Sequence, residues 1–178
     1  MRDYRAEAAE HIQRALASVP PEALRQFADE IRAANRIFFT GAGRSFLMLK
    51  SMAMALMQIG YQVHATGDVS TPSIRPGDLL VVASSSGETR SVVLFAEQCH
   101  AIGARIALIT ERPGSSLGQL ADLVITMGDG RLQQGPHWNT GSFFELALGP
   151  LGDCVVEDLA ESTGASHASI AAQHANLE

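Results

Sequence analysis

Leu79-Leu80-Val81-Val82-Ala83-Ser84-Ser85-Ser86-Gly87-Glu88-Thr89 decides the fold. Five apolar residues without alternation read as a strand buried on both faces, which is the signature of a parallel sheet covered by helices. Small polar residues then break the run. From about Arg90 the pattern becomes helical and continues to Ile102, where Gly103 caps it. Strand, polar loop, helix is the repeating unit of an open α/β sheet.

The same unit recurs on both sides. Ile37-Phe38-Phe39 is a short apolar strand, followed by Gly41-Ala42-Gly43 and a helix to Gly60. Tyr61 to Ala65, Arg105 to Thr110 and Leu123 to Met127 complete five strands, with a short helix near Ser116 to Ala121. Two helices precede the sheet, over about residues 4–34. The first carries Ala8, Ile12, Ala15 and Leu16 on one face; the second opens at Pro20-Pro21 and carries Leu24, Phe27, Ile31 and Ala34. Two more helices follow a polar loop over Gly128 to Thr140, spanning about residues 142–174. The long one, Ser142 to about Ala160, contains Gly149-Pro150 and is expected to kink there; the last covers about Ser166 to His174. The prediction is a single α/β domain over residues 1–178 with a five-stranded parallel sheet.

Composition narrows the function. With 178 residues, 46% hydrophobic and 18% charged, the chain can bury one real core. A net charge of −6 without a basic run argues against nucleic acid as a partner. Phe46 to Gly60 is interrupted by Lys50, Ser51 and Gln58, so it reads as a buried helix and not a membrane span. Met1 to Glu7 has no apolar stretch of the kind an export signal needs. Cys99 and Cys154 both fall in apolar helical patterns and are expected to be reduced, buried thiols. The six histidines are scattered, so no metal site is expected.

Ligands of an open parallel sheet bind beyond the carboxyl ends of its strands. Ser84-Ser85-Ser86-Gly87-Glu88-Thr89 lies there. Its hydroxyls can donate to phosphate oxygens, Gly87 lets the backbone approach, and a helix N-terminus contributes amides and positive potential. The plainer alternative is that Ser86 or Thr89 only caps the helix. Gly41-Ala42-Gly43-Arg44-Ser45 occupies the equivalent place after the first strand. Phe46 stands where a dinucleotide fingerprint needs its third glycine, and Val63-His64-Ala65 ends the second strand without the ribose acid. That disfavours a dinucleotide site and favours either a tight turn or a second pocket wall, with Ser45 as a donor. Glu145, flanked by Phe143, Phe144 and Leu146, is a candidate base because apolar neighbours raise a carboxylate pKa; pairing with the helix dipole is the alternative. His174 sits near the end of the chain, where a histidine is most often simply solvated.

Taken together these segments resemble the sugar isomerase (SIS) domain family, and within it the 6-phospho-3-hexuloisomerase branch. The resemblance runs through Gly41–Ser45, Ala53-Met54-Ala55-Leu56-Met57-Gln58-Ile59-Gly60, Ser70-Thr71-Pro72, Pro76-Gly77-Asp78-Leu79-Leu80, Ser84–Thr89, Gly141-Ser142-Phe143-Phe144-Glu145 and His174-Ala175-Asn176-Leu177-Glu178. It implies a flavodoxin-like sheet and a cytoplasmic homotetramer with sites at subunit contacts. It also implies cofactor-free isomerisation of 3-hexulose 6-phosphate to fructose 6-phosphate, a step of formaldehyde fixation by the ribulose monophosphate route. By that resemblance Ser45, Ser84, Ser86 and Thr89 hold the phosphate, with Gly43, Arg44, Ser85 and Gly87 as further substrate-binding candidates. Glu145 moves the proton through an enediol, and His174 assists at a substrate oxygen, from a neighbouring chain. The chain departs from the branch in four places. Ser84-Ser85-Ser86 replaces Ser-Gly-Ser, Asp68-Val69 replaces Glu-Thr, Gly135–Thr140 replaces a short Pro-Met, and Gly149-Pro150 interrupts the long helix. The alternative functions are isomerisation of another sugar phosphate, binding of one without turnover, or a dinucleotide-dependent oxidoreductase, which the missing glycine and ribose acid disfavour.

Overall fold

Buried strands carry the architecture. In the computed structural model, which describes residues 4–128 and 142–176, five strands run parallel in the order β2-β1-β3-β4-β5. They are β1 (Ile37–Gly41), β2 (Val63–Ala65), β3 (Leu79–Ala83), β4 (Arg105–Thr110) and β5 (Leu123–Thr126). This is the flavodoxin-like order. β1 and β3 pair in register from Ile37 opposite Leu79 to Gly41 opposite Ala83, which brings their two following loops side by side.

Side chains alternate across this sheet as the strand period requires. Ile37, Phe39, Leu79, Val81, Ala83, Ala107, Ile109 and Ile125 belong to one buried layer. It is covered by α1 (Tyr4–Ala17), α2 (Pro21–Ala33), α3 (Gly43–Gln58) and α6 (Ser142–Thr163). Phe38, Leu80, Val82, Ile106 and Leu108 face the other way, under α4 (Arg90–Ile102) and α5 (Ser116–Leu120). α7 (His167–Ala172) closes the described chain, and Ser166 and Ser169 form its capping box.

The helix that presents Glu145 is pinned along its length. Phe144, Ala147, Leu148, Leu151, Val155 and Leu159 of α6 are buried. Gly152 lets α6 approach α3: a Cβ there would stand 3.3 Å from Met52. α6 runs through Pro150, which lies on the exposed side, so the backbone bond that proline removes falls toward solvent.

One expectation is overturned. Cys99 is buried, and burial pushes its thiol up to about 11, but Cys154 is exposed. The buried stripe in the second half of α6, Leu151, Val155 and Leu159, has rotated past it. The loop expected over Gly128 to Thr140, beyond Gly128 itself, lies outside the described residues, as does its His137-Trp138-Asn139 segment. Among the described residues no helix is long and apolar enough to cross a membrane.

Candidate functional site

The loop after β3 is fastened on three sides. Ser84 is buried, and its amide donates to the Ile109 carbonyl at 3.1 Å. The Gly87 amide turns back onto Ser84, 3.2 Å from its carbonyl and 3.1 Å from its Oγ. Gly87 has φ +66°, a left-handed conformation that favours glycine. Toward α5, the Leu117 amide donates to the Gly87 carbonyl at 3.1 Å. The Glu88 carboxylate accepts from the Ser116 amide at 2.8 Å and the Ser116 hydroxyl at 2.7 Å, and these bonds hold its pKa below the usual range. Glu88 is thus the tether of the loop.

The hydroxyls are placed as a cradle. Ser84 Oγ and Thr89 Oγ1 stand 3.5 Å apart. Thr89 precedes α4 in extended conformation, yet its side chain makes no capping bond. The capping alternative therefore fails for Thr89, whose hydroxyl is turned to Ser84 at the mouth of the loop. Ser86 Oγ accepts from the Glu88 amide at 3.2 Å, leaving its proton available to an anion.

Glu145 enters from the first turn of α6 toward the start of α3. Its side chain is only 15% exposed, and Arg44 Nη2 lies 3.7 Å from Oε2. Burial raises its pKa. Its own backbone amide, Arg44 and a hydrogen bond from the Ser45 hydroxyl pull the other way without cancelling that effect, and the Glu111 carboxylate adds to the rise. Oε2 is buried without a hydrogen-bond partner among the described residues. Burial with a raised pKa is what a carboxylate needs to accept a proton.

The carboxyl edge of the sheet thus brings together Gly43, Arg44, Ser45, the Ser84–Thr89 loop and Glu145. Gly43 has φ +55° at the entry of α3. It does not bring in His174. That residue is exposed and follows α7, which packs against the far end of α3: Gln58, Ile59 and Gly60 line a cavity with Thr163, Gly164, Ser169 and Gln173. At 1.5 Å per residue, Ser45 and Gln58 are about 20 Å apart along the helix axis. His64 lies elsewhere too, its ring 5.0 Å from that of Phe38. A cavity of about 120 Å³ lined by Phe38, Ile74, Leu80, Phe95, Cys99 and Ile102 sits on the α4 face, away from these groups.

Glu111 was not singled out in the sequence. It follows β4, is 7% exposed, and accepts from Ser85 Oγ through Oε2 at 2.5 Å. Its amide and the Thr110 hydroxyl both donate to the Ser85 carbonyl, at 3.3 Å each. The usable signal was positional: an acid directly beyond the carboxyl end of a buried parallel strand.

Fold and site together define an open parallel α/β protein with a cradle of hydroxyls beside a buried carboxylate. The SIS domain model matches residues 30–141. A Bacillus subtilis protein named 3-hexulose-6-phosphate isomerase is 38% identical over 181 residues, covering 99% of this chain and 98% of its own. A Mycobacterium gastri protein of the same name is 42% identical over 166 residues, covering 91% and 83%. A crystal structure from Methanococcus jannaschii, said to infer a molecular function of 3-hexulose-6-phosphate isomerase, matches with a TM-score of 0.85 at 27% identity, over 96% of this chain and 97% of that one. The chain belongs to the SIS domain family.

Proposed function

We propose that this protein is a phosphosugar isomerase that converts 3-hexulose 6-phosphate to fructose 6-phosphate. The observation that carries it is Glu145: a buried carboxylate of raised pKa, at the same sheet edge as the Ser84–Thr89 hydroxyls, in a chain whose relatives over most of its length bear that enzyme's name. Ser84, Ser86 and Thr89 hold the phosphate. Ser45, bonded to Glu145, joins them by exchanging that bond for a phosphate oxygen. Glu145 takes the proton from C2, an enediol forms across C2 and C3, and the proton returns to C3 as the carbonyl moves to C2. The place in metabolism is formaldehyde fixation by the ribulose monophosphate route, in the cytoplasm. The direct test incubates the pure chain with 3-hexulose 6-phosphate, without nicotinamide or metal, and measures fructose 6-phosphate after quenching. Absence of product overturns the reading, and tight binding without product makes the protein a sensor.

Phosphate is remote from the reacting carbons, so its contacts act largely as uniform binding. Ser86→Ala and Thr89→Ala are each expected to raise KM, by an amount corresponding to about 1.5–3 kcal/mol per charge-assisted bond, with a smaller change in kcat. Steady-state kinetics on the folded variants checks this. Unchanged KM in both rejects the cradle.

His174 completes the site only from another chain, since its own Glu145 lies at the opposite end of α3. Support for assembly comes from large apolar side chains left exposed: Leu47 and Met54 on α3, and Leu94, Phe95 and Ile102 on α4. A tetramer with sites at subunit contacts is the assembly we propose. His174→Ala is then expected to lose about 10–100-fold in kcat as a lost acid–base partner. Co-refolding it with Glu145→Gln is expected to restore part of the activity, because some mixed sites hold both intact residues. No recovery in proven mixed oligomers, or full activity of His174→Ala alone, refutes the shared site.

A further inference from the structure

Glu111 is a buried carboxylate at the same edge that the mechanism above leaves unused. Its Oε2 is satisfied by Ser85. Its Oε1 is buried and has no hydrogen-bond partner among the described residues. Native proteins rarely leave such an atom unpaired, so a donor is expected when the site is filled. The phosphate loop supplies none beyond Ser85, and the flanking Thr110 hydroxyl is already committed to the Ser85 carbonyl.

We infer that Glu111 is a specificity-determining residue whose Oε1 accepts a hydrogen bond from the substrate hydroxyl on C4 or C5. The inference rests on the phosphosugar isomerase reading, and it follows from where the side chain is fastened. One oxygen is bonded to the middle serine of the loop assigned to the C6 phosphate. The β1–β3–β4 pairing sets the loops that carry Arg44, Ser85 and Glu111 side by side. Arg44 lies 3.7 Å from Glu145, and Glu145, whose pKa the Glu111 carboxylate helps raise, is assigned to C2 and C3. A group between those two ends of the substrate meets the two carbons between them, C4 and C5. Both carry hydroxyls, and an acceptor-only carboxylate suits a hydroxyl donor. Ser85 acts as the positioning residue that aims it. A site built to bond a hydroxyl discriminates strongly against an analogue that cannot present it, because the buried partner is then left unpaired.

The test is binding by calorimetry to the full chain, with fructose 6-phosphate, tagatose 6-phosphate (the C4 epimer), sorbose 6-phosphate (the C5 epimer) and inorganic phosphate as probes. The wild-type chain is expected to prefer fructose 6-phosphate over at least one epimer by about tenfold or more. Glu111→Ala is expected to reduce that preference to within about twofold and to leave inorganic phosphate affinity unchanged. Glu111→Gln keeps the volume and an oxygen for Ser85 while turning a donor toward the hydroxyl; it loses the preference in the same way if Glu111→Ala fails to fold. A wild-type chain without preference overturns the inference, as does a preference that survives in both folded variants. A parallel loss of sugar phosphate and inorganic phosphate affinity also overturns it, since that is what mere anchoring of the loop would produce. Failure to isomerise, with these binding results intact, overturns the proposed function and not this assignment.

Discussion

Glu145→Gln is expected to lower kcat by about 10²–10⁴-fold while KM moves little. The substitution keeps the shape and the hydrogen bond from Ser45 but removes basicity. Solvent deuterium should also stop entering the product. The acid limb of kcat tests the same group from another side. Burial raises the Glu145 pKa, so the active carboxylate is lost as pH falls through a value above the ordinary glutamate range, about 4.3. Arg44 opposes that rise, so Arg44→Ala should move the limb further up. The stability sign follows by linkage. A folded-state pKa above the unfolded one means the folded chain binds the proton more tightly, so stability declines as pH climbs between the two values. Glu145→Gln removes that decline and should unfold, at neutral pH, no lower than wild type. A variant with normal thermal stability and more than a tenth of wild-type kcat assigns proton abstraction to another group.

Gly87→Ala is expected to lower kcat/KM by at least about 100-fold through loss of phosphate binding. Two costs add. At φ +66° an L side chain is strained by about 1–2 kcal/mol. The new Cβ would also stand 1.9 Å from Ser115 Oγ and 2.4 Å from Ser115 Cβ. Rotating Ser115 moves its hydroxyl but not its Cβ, so the loop or the start of α5 must shift. A shift of the loop displaces the Ser84, Ser86 and Thr89 hydroxyls directly, and a shift of α5 pulls on Gly87 and Glu88 through their bonds to Leu117 and Ser116. Adding Ser115→Gly removes the clash and keeps the strain, so the double variant should recover partially. Wild-type KM in Gly87→Ala, with the fold intact by circular dichroism, rejects the cradle geometry.

How far the sequence could be read depends on where each signal resides. β1, β3 and β4 each contain an unbroken apolar run, and their alternation with helices specifies a parallel sheet before any contact is known. β2 is shorter than the expected Tyr61 to Ala65 because Tyr61 still completes the end of α3, its amide donating to the Leu56 carbonyl. Ser166 looks like part of the last helix but is its N-cap. The serine loop was legible since composition and place coincide. The nearness of Glu145 to Arg44 and Ser45, a hundred residues earlier, was accessible only through the rule that loops at the carboxyl edge converge. Glu111 carries no motif at all; only β3–β4 pairing sets it beside Ser85. Cys154 was misjudged because periodicity marks a helix face but not where its cover ends.

The fastening of the Ser84–Thr89 loop has a thermodynamic corollary. α5 is five residues long, too short to hold itself in water. Glu88 and Gly87 of the loop hold it, and it holds them. The ordering entropy of the cradle is therefore spent at folding and not at each encounter with substrate, which favours affinity without new contacts. Under the proposed phosphate role the relation is reciprocal: loosening α5 is expected to weaken anion binding, and an anion in the cradle is expected to slow amide hydrogen exchange in α5 by the same coupling free energy.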